Sequence, residues 1–232
     1  MNYSREQLKT YLEWDIDTWM HALKYWDDVL ERRGILYKTA LELGARNGGL
    51  SLYLVEKGMQ VVCSDLGGPT PQARELFERQ GLAGQVSFVE IDATAISYHD
   101  NSFDVVLFKS VLGGIGMALG FEGIQKAVSE IHRVLKPGGV LLFAENQEGS
   151  FLHRQARRLF VPWGKSWLYT TMEQIESLLV DFSESEVSSF GFFSCFKKDF
   201  APFVAADRLV CRSRKSHRHY MLFGYARKCV DA

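Results

Sequence analysis

The sequence predicts a doubly wound α/β fold, a parallel sheet covered by helices on both faces. Three observations carry that expectation. From residue 39 onward, short apolar runs alternate with stretches of helical period, the pattern of strands joined by crossover helices. The first run leads straight into a glycine-rich turn that opens a helix, where backbone amides come close to a ligand. Further on, the breaker Pro137-Gly138-Gly139 parts a helix from another apolar run.

The elements follow in order. Between Arg5 and Arg32 the residues Leu8, Leu12, Ile16, Trp19, Leu23, Trp26 and Leu30 recur every three or four positions. That spacing predicts one amphipathic helix, or two broken near Asp15–Asp17, ending at Gly34. Strands are expected at Thr39–Leu43, Gln60–Ser64, Val86–Ile91, Phe103–Phe108 and Val140–Ala144. Helices fall between them at Gly49–Lys57, Pro71–Gln80 and Gly123–Leu135. Thr171–Val180 is a further helix, with Thr170 and Glu173 at capping-box spacing. Glu186–Phe193 and Tyr220–Ala226 lack a clear long helix between them, which predicts an antiparallel pair closing the sheet. At 232 residues, the chain suits a single domain at roughly 100–200 residues per domain: a helical cap over residues 1–34 and the main body over residues 35–232.

Composition sets the outer limits. Hydrophobic residues are 47% and charged residues 24%, which excludes collagen, coiled coil and wholesale disorder. Lys and Arg number 27 against 28 Asp and Glu, a formal charge of −1. No nucleic-acid partner is expected from that balance. The cysteines Cys63, Cys195, Cys211 and Cys229 are widely spaced, without zinc or disulfide patterning. Together with the lack of a leader or an apolar span, this predicts a cytoplasmic protein with free thiols.

The chemistry concentrates in Glu42-Leu43-Gly44-Ala45-Arg46-Asn47-Gly48-Gly49-Leu50. A dinucleotide fingerprint wants glycine at position 46, so Arg46 argues against NAD. The stretch resembles the first motif of class I S-adenosylmethionine-dependent methyltransferases, an acidic residue followed by x-G-x-G-x-G. Glu42, Gly44 and Gly48 match, and Arg46 departs. The likeness continues through Asp65 after the second strand, Val89-Glu90-Ile91-Asp92-Ala93-Thr94 after the third, and Phe103-Asp104-Val105-Val106. It closes with Ile131 to Phe143, covering residues 38–146. The resemblance implies a Rossmann-like seven-stranded sheet of order 3-2-1-4-5-7-6 with the last strand antiparallel. It also implies S-adenosylmethionine as cofactor, held by Glu42, Gly44, Ala45, Arg46, Gly48, Asp65, Leu66, Asp92, Ala93 and Lys109. On chemical grounds, Asp65 accepts the ribose hydroxyls and Asp92 the adenine amine. Arg46 either swings the loop away or meets the cofactor's carboxylate.

Methyl transfer needs positioning, and an alcohol acceptor also needs a base. Glu145 and His153, near the carboxyl ends of the strands, are candidates for that base; Asn146 orients, and Lys109 either acts at the site or pairs with Glu145. Lys109-Ser110-Val111-Leu112-Gly113-Gly114-Ile115-Gly116 is rich in glycine, which predicts close approach. No metal cluster is expected. Two basic stretches flank the acceptor side: His153, Arg154, Arg157, Arg158 and Lys165, then Arg208, Arg212, Arg214, Lys215, His217, Arg218 and His219. Trp163, Trp167, Tyr169 and Tyr220 interleave them. The pattern suits an anionic small-molecule or glycan acceptor, and equally an RNA or peripheral contact with an anionic membrane. Residues 42–51, 108–116, 143–146 and 163–167 further resemble methyltransferases of bacterial surface-polysaccharide (O-antigen) synthesis. That likeness implies O-methylation of a sugar or glycan-precursor hydroxyl. Two alternatives remain: a methyltransferase of secondary metabolism acting on a phenol, carboxylate or amine beside Phe192, Phe193, Trp163 and Trp167, and a non-catalytic cofactor-binding partner subunit.

Overall fold

A computed structural model describes residues 3–31, 37–161, 166–197, 200–213 and 215–230. Gly34, Trp163, Gly164, Lys165 and Arg214 lie outside the described residues, as does Arg32.

The amino-terminal periodicity resolves into two helices, α1 (Arg5–Leu12) and α2 (Ile16–Glu31). Ser4 and Gln7 form a capping box at the start of α1. Glu13 and Asp15, at φ 64° and 45°, make the break. Strands β1 (Thr39–Leu43), β2 (Gln60–Asp65), β3 (Val86–Glu90) and β4 (Phe103–Lys109) alternate with helices α3 (Gly49–Glu56), α4 (Pro71–Arg79) and, after β4, α5 (Leu112–Val134). Then come β5 (Leu135–Asn146), α6 (Phe151–Phe160), α7 (Met172–Leu178), β6 (Glu184–Phe190), α8 (Ala201–Val210) and β7 (Met221–Arg227). The sheet order is β3-β2-β1-β4-β5-β7-β6, and β7 is antiparallel to both neighbours. This is the Rossmann-like order expected.

Strand side chains alternate between two cores, as the period of two requires. Val105, Leu107, Val140, Leu142 and Phe223 pack beneath α1, α2 and α3. Val106, Phe108, Leu141, Phe143 and Leu222 pack beneath α5 and α7. The amino-terminal helices are therefore a layer of the main core. Trp19 and Trp26 are fully buried, and Trp26 Nε1 donates to the Gly224 carbonyl of β7 at 3.2 Å.

Several boundaries differ from expectation for identifiable reasons. The glycine-rich Leu112–Gly116 is helical, so α5 starts eleven residues before Gly123 and bends at Gly120 (φ 69°). Pro137-Gly138-Gly139 lies inside β5, in a bulge where the register with β4 shifts. Gly138, at φ 75°, accommodates that bulge, and its N–H donates to Lys228 O. The capping box of α7 is formed by Thr171 and Gln174, one residue beyond Thr170 and Glu173. Thr170 is instead bridged to Gln147. Helix α8 occupies the stretch with the weakest sequence signal. Its buried Asp207 accepts the N–H groups of Phe192, Phe193 and Ser194 at 2.7–3.1 Å.

Candidate active site

The carboxyl ends of β1, β2, β3 and β4 meet around one cavity of 280 Å³. Open α/β sheets place their ligands at this edge. Gly44, Arg46, Asp65, Leu66, Asp92, Ala93 and Lys109 all line the cavity. So do Trp14, Ser110, Val111, Gly114 and Ile115, of which Trp14 reaches in from the joint between α1 and α2. Trp14 carried no signal in the sequence, because its place depends on two left-handed residues that no periodicity reveals.

The turn after β1 holds its shape through backbone chemistry. Gly44 takes φ 70°, and a Cβ there would stand 2.5 Å from Val111 Cγ2, so sterics alone demand glycine. Arg46 also adopts a left-handed φ of 46°, the conformation glycine would take without cost. Its N–H donates to Asp65 Oδ2 at 2.9 Å. The loop therefore stays in place, and the guanidinium turns toward the amino-terminal layer. It lies 3.8 Å from Glu13 Oε2 and 5.1 Å from the centre of the Trp14 ring.

Asp65 accepts from Arg46 N and Leu66 N with one oxygen each, which fixes its carboxylate at the rim of the cavity. Asp92 accepts both the backbone N–H and the hydroxyl of Thr94 on Oδ1 at 2.8 Å. Its Oδ2 has no partner among the described residues and is free for a ligand donor. Between the two carboxylates, Leu66, Ile91, Ala93, Val111 and Ile115 make an apolar slot. A flat heteroaromatic base with an exocyclic amine and a ribose diol matches that set of acceptors.

Three residues expected at the cofactor lie behind the loop instead. Glu42 is 3% exposed and accepts a hydrogen bond from Ser51 Oγ on α3. Burial pushes its carboxyl up to about 8. Ala45 packs against Cys63 and Ala73. Gly48 precedes α3 at φ 77°, and a Cβ there would meet Phe77 and Ala73 at 3.2 and 3.3 Å. They position the loop and do not line the cavity.

Lys109 is buried at the cavity wall. Its Nζ donates to the Leu12 carbonyl at 2.7 Å and sits 3.0 Å from the centre of the Trp14 ring. Desolvation draws it down to about 7, against the opposing pull of Glu13 and Glu42. The expected ion pair with Glu145 does not form. Glu145 is fully buried and caps α5, accepting from Val111 N and Leu112 N at 2.9 and 2.8 Å on one oxygen and from Asn146 N on the other. Burial raises it to about 7. His153 is also buried: Nδ1 pairs with Ser150, and Nε2 lies 2.8 Å from the Phe192 carbonyl. Desolvation lowers its pKa. Both candidate bases thus have their oxygen or nitrogen atoms engaged inside the protein, outside the cavity lining.

The close approach anticipated at Gly113 and Gly116 is made by the protein itself. A Cβ on Gly113 would collide with Trp167 Nε1, and one on Gly116 would stand 2.8 Å from Leu168 Cβ. Gly114 alone of the three lines the cavity. Asn146 Nδ2 donates to Ser110 Oγ at 2.8 Å, which steadies the turn after β4. Among the described residues no group of three His, Cys, Asp or Glu stands close enough to hold a metal ion.

Sheet order and cavity together define a Rossmann-like domain with a site at the β1–β4 edge. In agreement, residues 41–143 match the family model described as a methyltransferase domain. The demethylmenaquinone methyltransferase of Thermus thermophilus is 37% identical over 123 residues, 49% of this chain and 51% of that one. The ubiquinone/menaquinone biosynthesis C-methyltransferase UbiE of Brucella suis is 33% identical over 137 residues, 56% of this chain and 46% of that one. The chain spans about half the length of the curated relatives it matches. Among solved structures, phosphoethanolamine N-methyltransferase 2 of Haemonchus contortus, in complex with S-adenosyl-L-methionine, superposes with a TM-score of 0.64 at 22% identity. The match covers 98% of this chain and 58% of that one, a likeness of fold.

Proposed function

We propose that the protein is an S-adenosylmethionine-dependent methyltransferase acting on an acceptor that brings its own activated nucleophile, a phenol or an electron-rich ring carbon of quinol type. The observation that carries the cofactor reading is the convergence of Asp65, Asp92 and the apolar slot on one cavity. When bound, the cofactor supplies an electrophilic methyl on a cationic sulfonium. Asp65 would accept from the ribose hydroxyls and Asp92 Oδ2 from the adenine amine, with Leu66 and Ile115 among the apolar residues lining the same cavity. Lys109 lines the cavity with its Nζ given to the Leu12 carbonyl, so it too is committed to a backbone group and shapes the wall beside the acceptor.

The positions of Glu145 and His153 support this acceptor class. An alcohol of a sugar has to lose its proton to a base as the methyl arrives, and both candidates for that duty are committed to backbone groups. Neither the buried bases nor the quinone-named relatives support the glycan-hydroxyl expectation.

Calorimetric titration with S-adenosylmethionine, S-adenosylhomocysteine and NAD tests the cofactor reading. Binding of the first two, weakened at least ~10-fold in Asp65→Ala, supports it; an intact chain that binds neither overturns it. Labelled methyl transfer to quinols and phenols against nucleotide sugars then tests the acceptor, and transfer to the sugars alone refutes the class proposed here.

A further inference from the structure

Helix α6 is amphipathic in the inverted sense. Its i, i+4 rows separate cleanly: His153 and Arg157 face inward, whereas Phe151 with Leu159 and Leu152 with Phe160 face outward. Those four side chains are 63, 71, 58 and 80% exposed. The inward row is locked. Arg157 is buried, donates to the carbonyls of Gln147 and Glu148 at 2.7 and 2.8 Å, and lies over the rings of Tyr169 and Tyr220. His153 bonds Ser150 and Phe192 and stacks on Phe196. Rotating the helix to hide its apolar rows would break all of these bonds, so the fold fixes the exposure.

Phe196 is a further exposed aromatic beside the helix. It is 43% exposed and neighbours α6 through the His153 stack. Arg154 and Arg158, also an i, i+4 pair, border the apolar rows, and α6 contains no acidic residue. Arg154 meets Glu148 at 3.2 Å, whereas Arg158 has no acidic partner among the described residues. Exposed Lys197 follows Phe196 in the chain, with its Nζ over the Phe200 ring at 4.3 Å.

We propose that this face is a docking surface for an anionic lipid bilayer, with α6 lying in the interfacial plane, Phe and Leu side chains in the acyl boundary and Arg158 and Lys197 at the headgroups. The arrangement of large apolar residues edged by arginine is what an interfacial helix requires. A second copy of the chain fits less well, because a self-complementary contact would bring together two faces edged by arginine and without an acidic residue on α6. No described helix is long and apolar enough to cross the membrane, and the contact proposed is peripheral. A cavity lined by Glu148, Arg154, Arg157, Arg158 and Tyr169 lies beside the helix. The inference goes beyond the methyl-transfer reading and does not depend on it.

Vesicle co-sedimentation of the full chain tests it, with phosphatidylglycerol-containing and pure phosphatidylcholine vesicles compared. The chain is expected to partition onto the anionic vesicles. A Phe151→Ser, Phe160→Ser double variant, altered at exposed positions and checked for folding by circular dichroism, should lose at least ~10-fold in partitioning. Arg158→Glu should lose the preference for anionic lipid, and added salt should weaken binding by screening. Absence of binding to either vesicle, or binding indifferent to all three substitutions, overturns the proposal. So does a dimer in sedimentation velocity that the double variant converts to monomer, which would assign the face to a second copy.

Discussion

Lys109 is a buried amine held between a carbonyl and an indole ring, and its titration links ligand charge to pH. Because burial lowers it to about 7, a cationic ligand in the same cavity favours its neutral form. Affinity for S-adenosylmethionine should therefore rise as pH passes upward through about 7, while affinity for uncharged-sulfur S-adenosylhomocysteine should change less. Parallel titrations on either side of that pH check the difference, and Lys109→Met should abolish it. Glu42 bears on stability with a definite sign. Its folded value of about 8 exceeds the ordinary 4.5, so between the two the folded state carries more protons than the unfolded chain, and stability falls as pH rises through this window. Glu145, raised to about 7, acts in the same direction. Lys109 acts oppositely, adding stability with rising pH between about 7 and 10.5. Denaturant unfolding across pH should show a shallower decline in Glu42→Gln. The carboxylates at 65 and 92, selected through the family resemblance, both line the cavity. The fates of Glu145 and His153 were not legible in the sequence, since a residue number near a strand end does not say which way a side chain turns.

At the scale of elements, the α5 amino terminus shows how a glycine pattern is misread. Gly113 and Gly116 resemble a ligand-approach turn, yet they make room for Trp167 and Leu168 from fifty residues downstream. Gly113→Ala should destabilise the protein by ~1–3 kcal/mol and shift Trp167 fluorescence, both measurable in one urea titration. The two ends of the sheet separate binding from stability. Asp104, at the start of β4, accepts from Lys38 N, Thr39 N and Lys136 Nζ at 2.8–3.0 Å, far along the strand from the cavity-lining Lys109. Asp104→Ala is expected to lose ~1–3 kcal/mol of stability with cofactor affinity intact, the reverse of Asp65→Ala. Strand β1 was read to the residue because a short apolar run bounded by turn chemistry is local. Helix α6 gave no core-facing apolar stripe, since its large apolar residues point outward.

For the whole molecule, the amino-terminal helices decide both stability and access. Trp19 and Trp26 fill the core that β5 and β7 share, so Trp26→Ala should cost ~3–5 kcal/mol, read as a lowered urea midpoint, whereas the half-buried Trp14 belongs to the cavity wall. Trp14→Ala should spare the urea midpoint and speed cofactor release in stopped-flow. The sequence by itself determined the alternation of strands and helices, because that depends on local periodicity, while resemblance to a known family supplied the sheet order and the acidic residues after β2 and β3. Only the tertiary structure decided that Lys109 lies under Trp14, that Glu145 caps a helix, and that α6 presents its apolar rows to the outside. Each of those follows from contacts between residues dozens of positions apart, where burial and hydrogen-bond satisfaction choose the direction of a side chain.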